Sequence, residues 1–333
     1  MKILLDAMGG DNAPLETVKG AALAVDELDV ELILVGDEKK INKIIEENSL
    51  SRKNIEIVHT DKVITMEDDP ISVVKSNKDS SMGVCFRKLA DDKNNEINAM
   101  VSGGNTGALL AGSTLLIKRV NDIKRAAIAV VLPFEKKSLL IDAGANLDIK
   151  AEYLKQFGFM GSIYMKKIFG IETPTVGLAN NGTEKTKGTV EYVEAYKLLS
   201  ETKTINFVGN IEGSDMTVRG SDVLVTDGFT GNIILKLTEG FGTFMFKNLK
   251  SMFQRDVFTK VSAMMLKDSL REFKQSLDYT EYGGAPLLGI RRPVIKAHGS
   301  SNAKAIKNAV RQAKFCVETK LVEEIETQGR INK

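Results

Sequence analysis

The chain has 333 residues, 43% of them hydrophobic, a formal charge of +2 and no Trp. That length exceeds the size at which one hydrophobic core stops growing, so a single compact unit of two closely joined lobes over 1–333 is expected. The near-neutral charge and low aromatic content argue against a polyanion binder or a stacking platform, and no nucleic-acid partner is expected. Met1 and Lys2 lead straight into the strand pattern at 3–5, and no run approaches about 18 apolar residues, so a soluble, cytoplasmic protein is expected. Cys85 and Cys316 stand far apart with no Cys-x-x-Cys or His-rich setting, which reads as two buried thiols.

Short apolar runs alternate with amphipathic segments, the pattern of an α/β protein with a mostly parallel, layered sheet and helices on both faces. A strand at 3–5 is followed by a loop at 6–13, and Pro14 suits the first turn of a helix running to about Leu28. A strand at 31–35, a helix at 38–48 and a strand at 55–59 come next. Residues 65–70 read as a loop, with helix signals resuming near Val73. A strand at 97–101 turns through Ser102-Gly103-Gly104-Asn105-Thr106-Gly107-Ala108 into a helix. Strands at 126–132 and 138–141, joined by 133–137, read as a hairpin and hence an antiparallel pair in the parallel sheet. A helix at 150–169, a strand at 174–178, a helix at 185–199, strands at 205–208 and 222–225, and a helix from near Asn232 complete the alternation.

Six small-residue loops stand out, at 6–11, 102–108, 142–146, 181–188, 209–213 and 227–232. In parallel sheets ligands sit outside the carboxyl ends of strands, so several of these loops can converge on one cleft. Gly-rich turns that open a helix expose backbone N–H groups at the positive end of the helix dipole and suit a tetrahedral oxyanion such as phosphate. Lys185 and Lys187 read either as phosphate ligands or as a solvated helix face. Asp6, Asp11, Asp142, Asp222 and Asp227 read as helix caps or loop braces more readily than as Mg²⁺ ligands.

The chain has no Gly-x-Gly-x-x-Gly, no phosphate-loop Gly-x-x-x-x-Gly-Lys-Ser/Thr and no Gly-x-Ser-x-Gly elbow. With only His59 and His298, a Ser–His–Asp or Cys–His triad has little material. His298 precedes Gly299-Ser300-Ser301 and a helix, where it can polarise a carbonyl, meet phosphate or simply hydrogen-bond its loop. A site rich in phosphate-gripping turns and poor in nucleophiles implies that the bound oxyanion is itself the reactant, held against an activated carbonyl. A thiolate leaving group needs little acid assistance, since a thiol ionises near pH about 8.5. No cofactor and no metal is then required.

Residues 241–280 differ in kind, with Phe241, Phe244, Phe246, Phe253, Phe258 and Phe273 among several Met residues and an excess of Lys and Arg. The spacing predicts two helices with a turn near 254–259. This mixture fits a helical pair packed on a second subunit, an amphipathic element on an anionic membrane, or both, with the stems dimerising and the tip on lipid.

The motifs Asp-Ala-Met-Gly-Gly-Asp at 6–11, Ser-Gly-Gly-Asn-Thr-Gly-Ala at 102–108 and Ile-Asp-Ala-Gly-Ala-Asn at 141–146 occur together in one known family. So do Gly-Asn-Ile-Glu-Gly at 209–213, Asp-Gly-Phe-Thr-Gly-Asn at 227–232, Glu-Tyr-Gly-Gly-Ala-Pro-Leu-Leu-Gly at 281–289 and His-Gly-Ser-Ser at 298–301. Over essentially its whole length the chain resembles the PlsX family of acyl-acyl-carrier-protein:phosphate acyltransferases. The resemblance implies transfer of a long acyl chain from the acyl carrier protein thioester to inorganic phosphate. The acyl phosphate then serves a membrane glycerol-3-phosphate acyltransferase in phospholipid synthesis. It also implies a homodimer, peripheral membrane association, and a fold similar to isocitrate and isopropylmalate dehydrogenases and to phosphotransacetylase. Thr183 stands where relatives often carry an acid.

On this reading Ser102, Gly103, Gly104, Asn105, Thr106 and Lys185 hold phosphate. His298 and Asn232 orient or polarise the thioester carbonyl, and Asp6, Asp11 and Asp227 brace the loops. Apolar residues of 241–266 receive the acyl chain or the bilayer, and their basic neighbours meet the acidic carrier protein. The alternatives are a phosphotransacetylase using coenzyme A, a decarboxylating dehydrogenase needing NAD and Mg²⁺, and a membrane-bound scaffold without turnover.

Overall fold

The computed structural model describes residues 1–91, 96–134, 136–218, 220–276 and 283–331. Glu135 of the expected hairpin loop, residues 277–280 of the expected helical element, and Glu281 and Tyr282 of the 281–289 motif lie outside the described residues.

The amino-terminal alternation folds as read. Strands β1 (Lys2–Asp6), β2 (Glu31–Gly36), β3 (Ile55–His59) and β4 (Ile97–Ser102) are separated by helices α1 (Leu15–Glu27), α2 (Glu38–Glu47) and α3 (Ser81–Asp91). Asp37 starts α2 by accepting from the N–H groups of Lys39 and Lys40, satisfying donors that a helix leaves orphaned. The helix signal near Val73 belongs to a single 3-10 turn, Pro70–Val73, and α3 begins eight residues later at Ser81. Short α4 (Thr106–Gly112) follows β4.

Strands β5 (Ala127–Leu132) and β6 (Ser138–Ile141) form the expected antiparallel hairpin, with Ala129 opposite Ile141. Then come α5 (Ala151–Phe169), β7 (Thr175–Ala179), α6 (Val190–Glu201), β8 (Asn206–Ile211) and β9 (Val223–Val225). Helix α6 starts five residues after the expected Lys185. The Asn180 side chain donates to the carbonyl of Lys187, Asn210 donates to that of Glu184, and Gly188 adopts a φ of +94°, which holds 180–189 as a loop. Helix α7 (Gly228–Phe253) starts four residues before the expected Asn232, because Asp227 caps it through the N–H of Thr230. Where two helices were expected, α7 is followed by α8 (Val257–Met265) and α9 (Lys267–Ser276), the break falling at 254–256. Strands β10 (Ala285–Leu288) and β11 (Val294–Lys296), which the periodicity does not reveal, precede α10 (Ala303–Glu318) and α11 (Leu321–Ile331).

Among the described residues eleven strands join one sheet in the order β3-β2-β1-β4-β11-β10-β5-β6-β9-β7-β8. Two parallel blocks, β3-β2-β1-β4-β11 and β6-β9-β7-β8, are joined through β10 and β5, each antiparallel to both of its neighbours. One apolar layer, with Leu5, Phe157 and Ile306, and another, with Leu4, Phe86 and Leu287, are buried. Cys85 and Cys316 are free and buried, and burial raises both thiols, Cys316 to about 12. The neutral thiol is thereby the resting form of each. No described helix is long and apolar enough to cross a membrane.

Candidate active site

The loops after β1 and β4 are locked into each other. Asp6 is buried, accepts from Ser102 Oγ at 2.7 Å and from the N–H of Met8 at 3.2 Å, while Gly104 N–H donates to Ser102 Oγ at 3.1 Å. A Cβ on Gly9 would stand 2.7 Å from the Gly104 nitrogen, so only glycine lets the two loops approach this closely. Burial raises the Asp6 carboxyl above its ordinary value, and the Ser102 and Met8 hydrogen bonds oppose that rise. Asn105 caps α4 through the N–H of Ala108 and donates to the carbonyls of Thr65 and Met66 at 3.0 and 3.3 Å. The side chains of Ser102 and Asn105, expected on phosphate, are therefore consumed in holding the loop. Within 102–106 it is Thr106 that lines the cavity described next.

That cavity, about 300 Å³, lies where the two strand blocks meet. Its polar lining includes Thr106, Asn232, Lys236, Glu239, Lys296 and His298, drawn from the start of α4, from α7 and from the end of β11 and the turn after it. Lys296 was missed by sequence reasoning. It closes a short apolar run directly before His298-Gly299-Ser300-Ser301, and a cation ending a buried strand beside an anion-type turn was the available signal. Its Nζ donates to the carbonyls of Gly103 at 2.9 Å and Ala297 at 2.7 Å. Burial lowers it to about 8, with Asp6 and Asp11 opposing.

His298 sits opposite Lys236 and Glu239, its Nε2 3.4 Å from Lys236 Nζ and 3.8 Å from Glu239 Oε1. The N–H of Ser300 donates to Nδ1 at 3.2 Å, and Ser300 Oγ stands 2.9 Å from the same nitrogen. Burial pushes the imidazole below its ordinary value; Glu239 opposes, and Lys236 and Lys296 add to the drop. Asn232 donates to the carbonyl of Ala143 at 3.4 Å.

Over residues 1–324 the sequence matches the family described as fatty acid synthesis protein. The chain belongs to this family. Among curated relatives, a phosphate acyltransferase of Alkaliphilus oremlandii is 47% identical, the match covering 98% of this chain and 96% of that one. One of Clostridium acetobutylicum is 43% identical, covering 98% of each. Among solved structures, a phosphotransacetylase from Streptococcus pyogenes superposes with a TM-score of 0.63 at 16% identity, over 97% of this chain and 94% of that one. A 4-hydroxythreonine-4-phosphate dehydrogenase from Klebsiella pneumoniae gives 0.55 at 12% identity, over 94% and 98%. At these identities the likeness speaks for the α/β fold alone.

The remaining site residues of this fatty acid synthesis family member divide by position. Asp11 is exposed, and its N–H donates to the carbonyl of Gly299 at 2.8 Å, buttressing the His298 turn. Asp227 accepts from Tyr192 OH at 2.6 Å and from the N–H of Thr230 at 2.8 Å. Burial opposes its ionisation, yet the Tyr192 and Thr230 hydrogen bonds outweigh burial and hold it below the ordinary carboxylate range. Asp142 is a brace of the same kind, its carboxylate accepting from the N–H groups of Ile128, Gly144, Ala145 and Asn146. Lys185 is exposed on the loop after β7 and is not on the cavity wall. Of the six loops, those after β4, β6 and β9 reach the cavity, the one after β1 supports it, and those after β7 and β8 do not line it.

Proposed function

We propose that the cleft holds inorganic phosphate beside Thr106, Lys236, Lys296 and His298, against the thioester carbonyl of a long-chain acyl group on acyl carrier protein. Transfer of an acyl group to phosphate is the activity that the names of relatives aligned over nearly the whole chain carry. The observation that carries the site reading is that two lysines and a histidine line one cavity with apolar side chains such as Ile128, Val130 and Leu235, Glu239 pairing with Lys236 at 2.8 Å.

In this mechanism a phosphate oxygen attacks the carbonyl carbon and the C–O bond to phosphate forms. The carbonyl oxygen gains charge and is met by the His298 imidazole and the Asn232 amide. The C–S bond then breaks, and the carrier thiolate leaves with little need of a proton. Lys236 and Lys296 offset the charge of phosphate, and orientation supplies much of the rate. Asp6, Asp11 and Asp227 act as braces. Phosphate contact from 102–105 comes from the backbone of Gly103 and its neighbours, not from the Ser102 or Asn105 side chains.

The reading extends to assembly. The chain is taken as one unit of two joined lobes that forms a homodimer in the cytoplasm and rests peripherally on anionic membrane through 241–280, passing acyl phosphate to a membrane glycerol-3-phosphate acyltransferase. Two features support it. Phe229, Ile233, Leu237, Phe241 and Phe244 are exposed at spacings of three or four along α7, a face suited to a second copy. Farther out, Phe258, Met264 and Met265 are 84%, 76% and 83% exposed beside Lys260 and Lys267, the composition of a protruding helical tip on lipid.

The test is thiol release from long-chain acyl carrier protein with and without phosphate, with acetyl-coenzyme A as the second substrate. Phosphate-dependent release yielding acyl phosphate is expected. No release from the carrier thioester, with turnover of acetyl-coenzyme A, would replace this reading with a phosphotransacetylase.

A further inference from the structure

We propose that the acyl chain of the thioester inserts into a wedge between β5 and β10, lined in part by Tyr164, and does not lie along 241–266. The proposal rests on the acyl-transfer reading above for the identity of the ligand. The wedge itself comes from the way the sheet forks.

Strand β10 changes partner along its length. Ala285 and Pro286 pair with Lys296 and Ile295 of β11, whereas Leu287 and Leu288 pair with Ile128 and Ala127 of β5. Beyond Ile128, then, β10 leaves β5 for β11. Among the described residues Ala129, Val130 and Val131 pair with β6 alone, and the cavity occupies their other side. Opposite them stand Gly283 and Gly284, which sit against α10: a Cβ on Gly283 would be 2.5 Å from the Asn308 carbonyl oxygen. A Cβ on Gly284 would likewise stand 2.4 Å from Ile295 Cγ2, so both glycines let this backbone lie close against α10 and β11 while it lines the cavity.

The cavity's charged and polar lining comes from Thr106, Asn232, Lys236, Glu239, Lys296 and His298, and its apolar lining includes Ile128, Val130, Val131, Leu235 and Ala285. Tyr164 also lines the cavity and is fully buried, its hydroxyl accepting from Gln312 Nε2 at 2.7 Å. From Ile128 to Val131 the strand advances about 10 Å. A ligand with an anionic or polar head and an extended apolar tail matches this division. An acetyl group would leave the interior empty.

Two measurements on the full-length protein test the wedge. In the first, palmitic acid carrying a terminal diazirine is photo-crosslinked to the wild-type protein and the labelled residues are mapped by mass spectrometry. Labels within 128–131 or on Tyr164 are expected; labels confined to 241–265, or none above background, would overturn the proposal. In the second, Val130→Phe narrows the wedge, and the ratio of palmitoyl to octanoyl kcat/KM is compared with wild type. That ratio is expected to fall roughly tenfold or more, since pocket contacts to successive methylenes are worth about that much in discrimination. A purely structural effect lowers both substrates together, and an unchanged ratio in a folded variant overturns the proposal. If no acyl thioester releases thiol with phosphate, the acyl-transfer reading fails by itself, and the labelling still decides whether an apolar tail enters the wedge.

Discussion

The Nζ of Lys296 donates to the carbonyl oxygen of Gly103 at 2.9 Å, fastening the last residue of β11 to the loop after β4. The bond turns one carbonyl of a glycine-rich loop toward a cation, so that carbonyl is not presented to an incoming anion. Lys296→Met is expected to lower phosphate-dependent turnover by about a hundredfold, the scale for losing one preorganised charge-stabilising group. Stability should move the other way. A lysine whose folded value, about 8, lies below its unfolded value of about 10.4 destabilises the fold while charged. The penalty is full below about pH 8 and fades as pH rises toward the unfolded value. Urea midpoints at pH 7 and above pH 9 should therefore converge for Lys296→Met and differ for wild type. Turnover should decline above about pH 8 in wild type and hold in Lys296→Arg, which keeps its charge.

Asn105 has two jobs that substitutions can separate. Its Oδ1 caps α4 and its Nδ2 holds the carbonyls of Thr65 and Met66. Asn105→Ala loses both and should cost about 1–2 kcal/mol, the scale of a helix cap, together with most of the turnover. Asn105→Asp keeps the cap acceptor and loses the donor, so its melting temperature should fall less than its kcat/KM. Wild-type kcat/KM in a folded Asn105→Asp would mean that the 65–68 tether has no part in activity.

Asp227 links helix start to sheet. It accepts from Thr230 N–H and from the Tyr192 hydroxyl, and it lies below the ordinary carboxylate range. A carboxylate depressed in the folded state contributes stability that is present above its unfolded value of about 3.9 and lost as pH falls through the folded value. Asp227→Ala should cost about 2 kcal/mol at pH 7 through the lost cap and the stranded Tyr192 hydroxyl. Its stability should also change less than that of wild type between pH 5 and pH 2 in denaturant titrations.

The exposed tip of α8 offers a test of membrane contact apart from catalysis. Phe258→Glu and Met265→Glu should each weaken sedimentation with anionic vesicles by roughly tenfold, since withdrawing one large apolar side chain from lipid costs about 1.5–3 kcal/mol. Vesicle binding equal to wild type in both variants would remove the tip from the membrane reading.

Much of the fold could be read in the chain because its signals are local. Apolar runs such as 3–5 and 31–35 and the hairpin at 126–141 each specify their element within a few residues, and the structure places them as read. Signals that depend on distant partners were misread. Nothing near Lys185 announces that Asn210, on another strand, holds the Glu184 carbonyl and keeps that segment a loop. Strands β10 and β11 are only four and three residues long, too short to show a period, and they exist because β4 and β5 offer them edges.

The candidate site divides the same way. The sequence by itself determined an α/β alternation, a set of anion-type turns without a nucleophile, and the motif order of the family. Gly, Asp and Asn at strand ends leave their mark on local backbone geometry, so these could be read without knowing what lay nearby. Only the tertiary structure decided which of those polar groups are free to meet a ligand. Ser102 and Asn105 look like ligands in one dimension, but in three they are saturated by Asp6, Gly104, Ala108 and Thr65. Lys296 looks like the end of a strand until the fork of β10 brings it, with Lys236 of α7 and His298, to the lining of one cavity. Hydrogen-bond capacity belongs to a residue, but whether it is already spent depends on neighbours far along the chain, 96 positions away for Asp6 and Ser102 and 193 for Lys296 and Gly103, and folding alone chooses them.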